Sequence, residues 1–308
     1  MEIRQLYAFV AVGEELHFGR AAARLHMAQS PLSQLIRRLE ADVGTPLLRR
    51  TTRRVELLPA GEVLLDRAHA ILAAVSAAEE DARAAASGEL GRLAIGFTGS
   101  MTYALLPHLA KALRAELPRV RLDLRGEMLT PAQVEGLVEG ALDVALLRPP
   151  VDHADLVVEP VGVEPLVAAL PADHPLAVHE RLPVAMLAGE PFIVYPASAR
   201  SVVHDAVDAT CADHGFTPIV AMETAETSTL VSFVAAGVGV ALVPASAQQM
   251  SVAGAVYRPL TGGTHLVELA MCWRAASGSA TLPRALEVIR HELDELHGVL
   301  PGGVGVRG

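Results

Sequence analysis

The sequence predicts a mixed α/β protein in which a helical region with a short hairpin precedes one long helix and two α/β lobes. Three observations support this fold class. Apolar residues recur at helical spacing before residue 44, positions 62–87 contain no glycine, and strand-like and helical segments alternate from residue 91 onward. The length of 308 residues exceeds one typical domain, and a hydrophobic fraction of 51% supplies ample core material.

The segment from Phe18 to Val43 predicts two short helices joined by a tight turn. Ser30 is expected as the N-cap of the second helix and Pro31 as its first residue, where a missing N–H costs nothing. One stripe of that helix is apolar and comprises Leu32, Leu35, Ile36, Leu39 and Val43. Polar residues lie largely off the stripe, a division that suits a helix placed in the major groove of DNA.

The polar face supplies the first candidate DNA contacts. Ser and Gln can hydrogen-bond base edges, and Arg can contact guanine or phosphate. The candidates are Gln29, Ser30, Pro31, Ser33, Gln34, Arg37 and Arg38. An ordinary helical hairpin of a globular protein is the alternative for this stretch alone.

A predicted hairpin wing follows at Leu47 to Leu57. Four arginines cluster at its tip: Arg49, Arg50, Arg53 and Arg54. Such a loop suits phosphate contacts, whose attraction is largely independent of sequence and weakened by salt. A solvated turn is the usual interpretation of an arginine-rich loop, but directly after this helix pair the DNA interpretation is favoured.

Residues 1 to 61 resemble the winged helix-turn-helix of the LysR-type transcriptional regulators. The matching runs are RQLYAFVAVGEELHFGRAAARLHMAQSPLSQLIRRLEADVGTPLLRR and VELLPAG. The resemblance implies a DNA-binding domain at 1–58, with promoter double-stranded DNA and RNA polymerase as partners.

The charge distribution agrees with one DNA-facing end. The net charge is −10, yet residues 1–60 hold nine Arg against six Asp or Glu, giving +3 there and −13 for the remainder. An acidic remainder disfavours general adhesion to nucleic acid and confines binding to the basic end.

Residues 59–88 predict a linker helix. Leu64, Ala68, Ile71, Val75, Ala78 and Ala82 form a heptad seam. A second subunit would bury this seam, and the family resemblance favours a dimer and implies a dimer of dimers. A helix packed on its own domain is the alternative, and Ser87, Gly88 and Gly91 then mark a hinge.

Beyond the hinge, the pattern predicts parallel α/β sheets. The expected strands are 93–97, 120–124, 144–147, 166–170, 192–195, 219–222, 240–242 and 266–273, and the expected helices are 103–116, 131–139, 202–214, 227–236 and 282–296. This layout resembles the family's effector domain, which has a periplasmic-binding-protein-like architecture. We expect lobe I at 91–161 and 268–297, lobe II at 162–267 and a flexible tail at 298–308.

Polar residues at strand ends predict a ligand cleft between the lobes, since open α/β sheets bind ligands there. The candidates are Thr98, Gly99, Ser100, Met101, Thr130, Arg148, Pro196, Ala197 and Ser198. Hydroxyls and free N–H groups at helix starts favour a carboxylate or phosphate. Helix capping is the alternative for each hydroxyl, and a structural ion pair is the alternative for Arg148.

Four runs, IGFTGSMTYALLP, EMLTPAQ, VYPAS and FVAAGVGVALVPAS, are most similar to the subgroup that senses intermediates of aromatic degradation, such as muconate-type dicarboxylates. In that subgroup the positions matching Ser100, Thr130 and Pro196 to Ser198 line the cleft. The resemblance therefore implies a small organic acid as effector.

The sequence thus predicts a cytoplasmic transcriptional regulator, with activation of a neighbouring catabolic operon expected and repression of its own promoter implied by the family. The alternatives are an enzyme working in the cleft and a small-acid-binding module. GxSxG, HExxH, P-loop and GxGxxG motifs are absent, and no signal peptide or transmembrane span is visible. Cys211 and Cys272 form no CxxC pair, which argues against a metal site, and a redox pair is a minor alternative. No cofactor is expected.

Overall fold

The computed structural model describes residues 1–50, 54–199 and 201–296. Arg53 of the predicted wing and the predicted flexible tail at 298–308 lie outside these described residues. The chain forms two compact units, which divide between Ala84 and Ala85.

The first unit contains three short helices, a hairpin and most of a long helix. The helices are α1 (Ile3–Glu15), α2 (Phe18–Arg24), α3 (Gln29–Val43) and α4 (Pro59–Ala86), and the antiparallel strands are β1 (Leu48–Arg50) and β2 (Val55–Leu57). Their shared apolar core buries Phe9, Leu32, Ile36 and Leu39 completely. The predicted helix pair and hairpin are confirmed.

The start of α3 differs from the prediction. Ala28 is the N-cap, in an extended conformation and without a side-chain cap hydrogen bond, whereas Ser30 and Pro31 lie inside the first turn. The assignment of Ser30 as N-cap is therefore wrong by two residues. Proline is tolerated in this turn because its N–H would have no partner within the helix.

Helix α4 packs partly on its own unit. Ala68 and Leu72 are buried in the core of the first unit, while Ile71 of the predicted seam is exposed. A Cβ on Gly61 would lie 2.2 Å from the carbonyl oxygen of Leu47, so only glycine permits this contact with the hairpin. The alternative, a helix packed on its own domain, therefore describes the start of α4. The later positions of the heptad seam are half-buried or exposed.

The second unit alternates strands and helices. Its strands are β3 (Gly91–Phe97), β4 (Val120–Arg125), β5 (Val144–Leu147), β6 (Leu156–Glu164), β7 (Leu166–Pro171), β8 (Leu182–Pro183), β9 (Pro191–Val194), β10 (Ile219–Glu223), β11 (Ala241–Pro244), β12 (Ala255–Thr261) and β13 (Val267–Arg274). Its helices are α5 (Gly99–Ala104), α6 (Leu106–Glu116), α7 (Thr130–Val138), α8 (Val202–Asp213), α9 (Thr227–Ala235) and α10 (Leu282–Leu296).

Strands β3, β4 and β5 are parallel, as the sequence predicts, whereas the sheets as a whole are mixed. In lobe I the strand order is β4-β3-β5-β13-β6, and β3 pairs parallel with β4 and β5 while β13 runs antiparallel to β5 and β6. In lobe II, β7 runs antiparallel to β11 and β12, and β9 pairs parallel with β10. The chain passes from lobe I into lobe II after β6 and returns to lobe I with β13, which runs antiparallel to its neighbours β5 and β6.

Two further differences concern element boundaries. The predicted helix 103–116 is two helices, because Leu105 interrupts the first and Pro107 occupies the first turn of the second. Strand β6 pairs with β13 as far as Glu164, so the expected lobe boundary at 161/162 falls inside β6. The expected strands do not include β6, β8 or β12. No helix in the described ranges is both long and apolar enough to cross a membrane.

Candidate functional site

Helix α3 presents the polar face that the sequence predicts. Six of the seven candidate side chains on α3 are exposed, and Ser33 is half-buried. Leu32, Ile36 and Leu39 anchor the opposite face in the core. An exposed row of amide, hydroxyl and guanidinium groups on a rigid helix can hydrogen-bond base edges and phosphates.

Glu40 fixes the wing to α3. Its Oε1 accepts hydrogen bonds from the backbone N–H groups of Leu47 (3.0 Å) and Leu48 (3.2 Å), and its Oε2 pairs with Arg50 at 3.1 Å. The Arg50 guanidinium also lies 4.7 Å from the centre of the Phe18 ring. Arg50 thus contacts Glu40 and Phe18 within the first unit, whereas the sequence places it among the arginines expected to contact phosphate at the wing tip.

The other described wing arginines flank Glu56. Arg49 Nη1 lies 3.7 Å and Arg54 Nη1 lies 3.0 Å from its carboxylate oxygens. Their side chains are 66% and 76% exposed, and exposed ion pairs contribute little energy. Arg49 and Arg54 can therefore exchange Glu56 for phosphate oxygens at low cost.

The candidate effector residues Thr98 to Met101 are all buried at the start of α5. Thr98 is the N-cap, yet its side chain makes no cap hydrogen bond, so helix capping does not account for this hydroxyl. A Cβ on Gly99 would lie 2.3 Å from Thr227 Oγ1 and 2.5 Å from Glu127 Oε2. The start of α5 therefore closely approaches the start of α9 in the other lobe.

Ser100 contacts Arg148, which is 2% exposed. Ser100 Oγ accepts a 2.9 Å hydrogen bond from Arg148 Nη2, and the same nitrogen pairs with Glu164 Oε1. Because the guanidinium donates to Oγ, the hydroxyl proton of Ser100 is not used in this contact. Arg148 Nε is buried without a hydrogen-bond partner among the described residues.

The structure shows Arg148 in an ion pair, which is the structural alternative for this residue. Glu164 also accepts from Ser246 N at 2.6 Å and Ser246 Oγ at 3.0 Å. Ser246 lies in the 3₁₀ turn Ala245–Gln249 of lobe II, so this network joins the two lobes. The Glu164 carboxylate neutralises the charge of the buried Arg148 guanidinium.

Thr130 and the residues after β9 differ from Ser100 in their contacts and exposure. Thr130 Oγ1 donates to the Arg148 carbonyl at 2.9 Å and accepts from the Arg148 N–H at 3.2 Å. This hydroxyl proton is thus already used within lobe I. Pro196 is half-buried and Ala197 and Ser198 are exposed, and among the described residues no hydrogen bond joins them to Ser100 or Arg148.

Sequence reasoning missed three residues of this region: Glu127, Glu164 and Ser246. The Glu127 carboxylate accepts hydrogen bonds from the backbone N–H groups of Thr227 (2.9 Å) and Ser228 (3.1 Å). No local pattern marks their contacts between the lobes, because the partners in those contacts lie 82 to 101 positions away. In the run EMLTP, Glu127 lies just after strand β4. A polar residue at a strand end is the one sequence signal that could have identified Glu127.

The two cysteines are buried and not joined in a disulfide. Cys211 on α8 and Cys272 on β13 are free and buried, and burial raises their pKa values to about 12 and about 11. Thiols with such pKa values hold little thiolate at neutral pH, which disfavours a redox pair. In the part of the chain that the structure describes, no three His, Cys, Asp or Glu side chains form a metal-binding group.

Two family models match the chain. Residues 3–62 match the bacterial regulatory helix-turn-helix protein of the lysR family, and residues 86–294 match the LysR substrate binding domain. The HTH-type transcriptional regulator AlsR of Bacillus subtilis (strain 168) is 40% identical over 260 residues, covering 84% of this chain and 86% of AlsR. ShiR of Corynebacterium glutamicum (strain R), also an HTH-type transcriptional regulator, is 37% identical, covering 94% of this chain and 98% of ShiR.

A solved structure matches both units. Full-length CbnR, a LysR family transcriptional regulator complexed with its target DNA, has a TM-score of 0.78 and 28% sequence identity, covering 95% of this chain and 100% of CbnR. These relatives are named as transcriptional regulators, not as enzymes.

Proposed function

This chain belongs to the LysR family of transcriptional regulators, and we propose that it controls promoter DNA in response to a small carboxylate bound between the lobes of its second unit. As a member of this family it is a DNA-binding transcription regulator with an effector-binding domain. The finer assignments below concern the effector, the DNA contacts and the assembly.

The contact between Ser100 and Arg148 carries the effector assignment. Arg148 Nη2 donates to Ser100 Oγ, which leaves the serine O–H to donate to a ligand oxygen. Ser100 is also buried at the start of α5, where the first N–H groups of the helix have no intrahelical partner. Glu164 already neutralises Arg148, so these hydrogen bonds, and not a free cation, would recognise the acid.

On the DNA side, α3 would read bases while the wing contacts phosphates. Gln29, Ser30, Gln34, Arg37 and Arg38 are exposed on one helix, as base readout requires. Arg49 and Arg54 are exposed on the wing and can add contacts that depend on salt but not on sequence.

The proposal extends to the assembly. The exposed part of α4 and its heptad seam support a dimer, and two dimers would make the tetramer that the family resemblance implies. An effector shifts such an assembly on DNA only by the difference in its affinity for two conformations. We place this activity in the cytoplasm, with activation through RNA polymerase at a catabolic promoter as the outcome.

The test is thermal stability of the purified protein against a panel of small mono- and dicarboxylates, with Ser100→Ala beside the wild type. A ligand that binds only the folded state raises the Tm, and at 100 times its Kd it contributes about 2.7 kcal/mol. We expect one acid to raise the Tm of the wild type and to lose that effect in Ser100→Ala.

Ser232→Ala is the matched control, since Ser232 Oγ donates only to its own helix, at Ser228 O. This variant should respond to the acid as the wild type does. A shift retained in Ser100→Ala would remove Ser100 from the site, and no shift for any acid would contradict a carboxylate effector.

A further inference from the structure

A carboxylate of lobe I is bound at the start of a helix in lobe II. Glu127 lies between β4 and α7, and its Oε2 and Oε1 accept hydrogen bonds from the N–H groups of Thr227 and Ser228, the first two residues of α9. Such bonds to an ionised acceptor are roughly twice as strong as neutral ones, and the helix dipole adds to them. The contact therefore ties the lobes together directly.

Lobe I holds Glu127 in position for this contact. Tyr103 Oη donates to Glu127 Oε1 at 2.9 Å, and Glu127 N donates to Thr102 Oγ1 at 3.0 Å. Burial raises the pKa of Tyr103, so its hydroxyl keeps the proton that it donates. Glu127 also has φ +57°, a left-handed conformation that non-glycine residues seldom adopt and that the surrounding contacts must maintain.

The starts of α5 and α9 lie in close contact at Gly99. The position of a Cβ on Gly99 would fall 2.5 Å from Glu127 Oε2 and 2.3 Å from Thr227 Oγ1. Ser100, the proposed effector contact, is the next residue. A carboxylate ligand at Ser100 would add a second negative charge one residue away from the contact between Gly99 and Glu127, and like charges in a poorly solvated site repel each other.

We infer that Glu127 is a latch between the lobes, and that an effector carboxylate at Ser100 and the closed latch exclude each other. Release of α9 from Glu127 is then the first movement that effector binding causes. The second half of this inference rests on the proposed function, whereas the latch itself can be measured without effector or DNA.

The first experiment is hydrogen–deuterium exchange of the full-length protein, followed on a peptide covering residues 224–232. Glu127→Ala should speed exchange of this peptide by at least about tenfold, because it removes two charge-assisted hydrogen bonds to the α9 N–H groups. Tyr103→Phe, which removes one of the groups that hold the carboxylate, should give a smaller increase of about threefold. The Tyr103 variant keeps the test valid if Glu127→Ala folds poorly.

Glu226→Gln is the matched control. Glu226 is the exposed N-cap of α9, and among the described residues its side chain accepts a hydrogen bond from Thr229 of its own helix, at 2.9 Å. Exchange at 224–232 should change less than about twofold in this variant, because no hydrogen bond between the lobes is lost. Equal exchange in Glu127→Ala, Glu226→Gln and wild type would overturn the latch.

The second experiment measures acetate and succinate binding to wild type and to Glu127→Gln by calorimetry. Loss of the Glu127 contact should tighten binding of the preferred acid by about tenfold, because the free energy needed to break that contact no longer opposes binding. Faster exchange with no acid binding to either protein would support the latch and contradict the carboxylate effector. Equal affinity in both proteins would overturn the mutual exclusion while leaving the proposed function intact.

Discussion

Arg148 and Glu164 form an ion pair at the point where the chain first crosses between the lobes. Arg148 Nη2 lies 2.5 Å from Glu164 Oε1, and the two side chains are 3% and 12% exposed. Ser246 adds two donors to the same carboxylate from lobe II. The pair therefore couples the strand ends of lobe I to the other lobe, instead of offering a free cation to a ligand.

Glu164→Gln should lower the free energy of unfolding of the second unit by about 3 to 5 kcal/mol, because it leaves the Arg148 charge buried without compensation. Urea unfolding followed by the fluorescence of Trp273, the single tryptophan of the chain, measures this loss. The double variant Arg148→Met/Glu164→Leu should recover most of it. If Arg148→Met loses acid binding at unchanged stability, the guanidinium contacts ligand after all.

Arg37→Ala should weaken binding to a site selected from random duplex DNA by roughly 1 to 3 kcal/mol and relax its sequence preference. Fluorescence anisotropy on matched and scrambled duplexes separates these effects. Arg83→Ala removes the same charge from α4, where Arg83 pairs with Glu79, and should leave both quantities unchanged. Unaltered affinity and selectivity in Arg37→Ala would remove Arg37 from the base contacts.

The wing offers a matched pair of arginines. Arg50→Ala should destabilise the first unit by about 1 kcal/mol through loss of the Glu40 pair and the Phe18 contact. Arg49→Ala should leave the Tm unchanged but reduce the salt dependence of binding by about 0.9 in log–log slope, as expected for one lost phosphate contact. Thermal unfolding and binding at several salt concentrations measure both. A stability loss in Arg49→Ala that equals the loss in Arg50→Ala would contradict this division.

Native Cys211 and Cys272 should react with a thiol reagent at pH 8 far more slowly than the unfolded protein does. With pKa values of about 12 and about 11, their thiolate fractions at pH 8 are on the order of one in ten thousand and one in a thousand. Absorbance after addition of 5,5′-dithiobis(2-nitrobenzoate), with and without guanidinium chloride, gives the two rates. An internal disulfide formed in folded protein by peroxide would restore the redox alternative.

Local sequence patterns were sufficient to predict several helices and strands. Helical spacing of apolar residues identified α2 and α3, and the pattern of four arginines identified the hairpin between β1 and β2. Short apolar runs located β3 and β5 to within two residues. These features depend on residues close together in the chain, so their physical cause is visible in the sequence.

The contacts between polar groups were identified only in the folded protein. The antiparallel entry of β13, the pairing of Arg148 with Glu164 and the capture of the α9 N–H groups by Glu127 all join residues far apart in sequence. Ser100 was predicted from its place after β3, but whether its hydroxyl is free to donate depends on Arg148. Whether a buried charged group has a structural role or binds a ligand depends on the groups that surround it in space. The packing of the two lobes determines which groups those are.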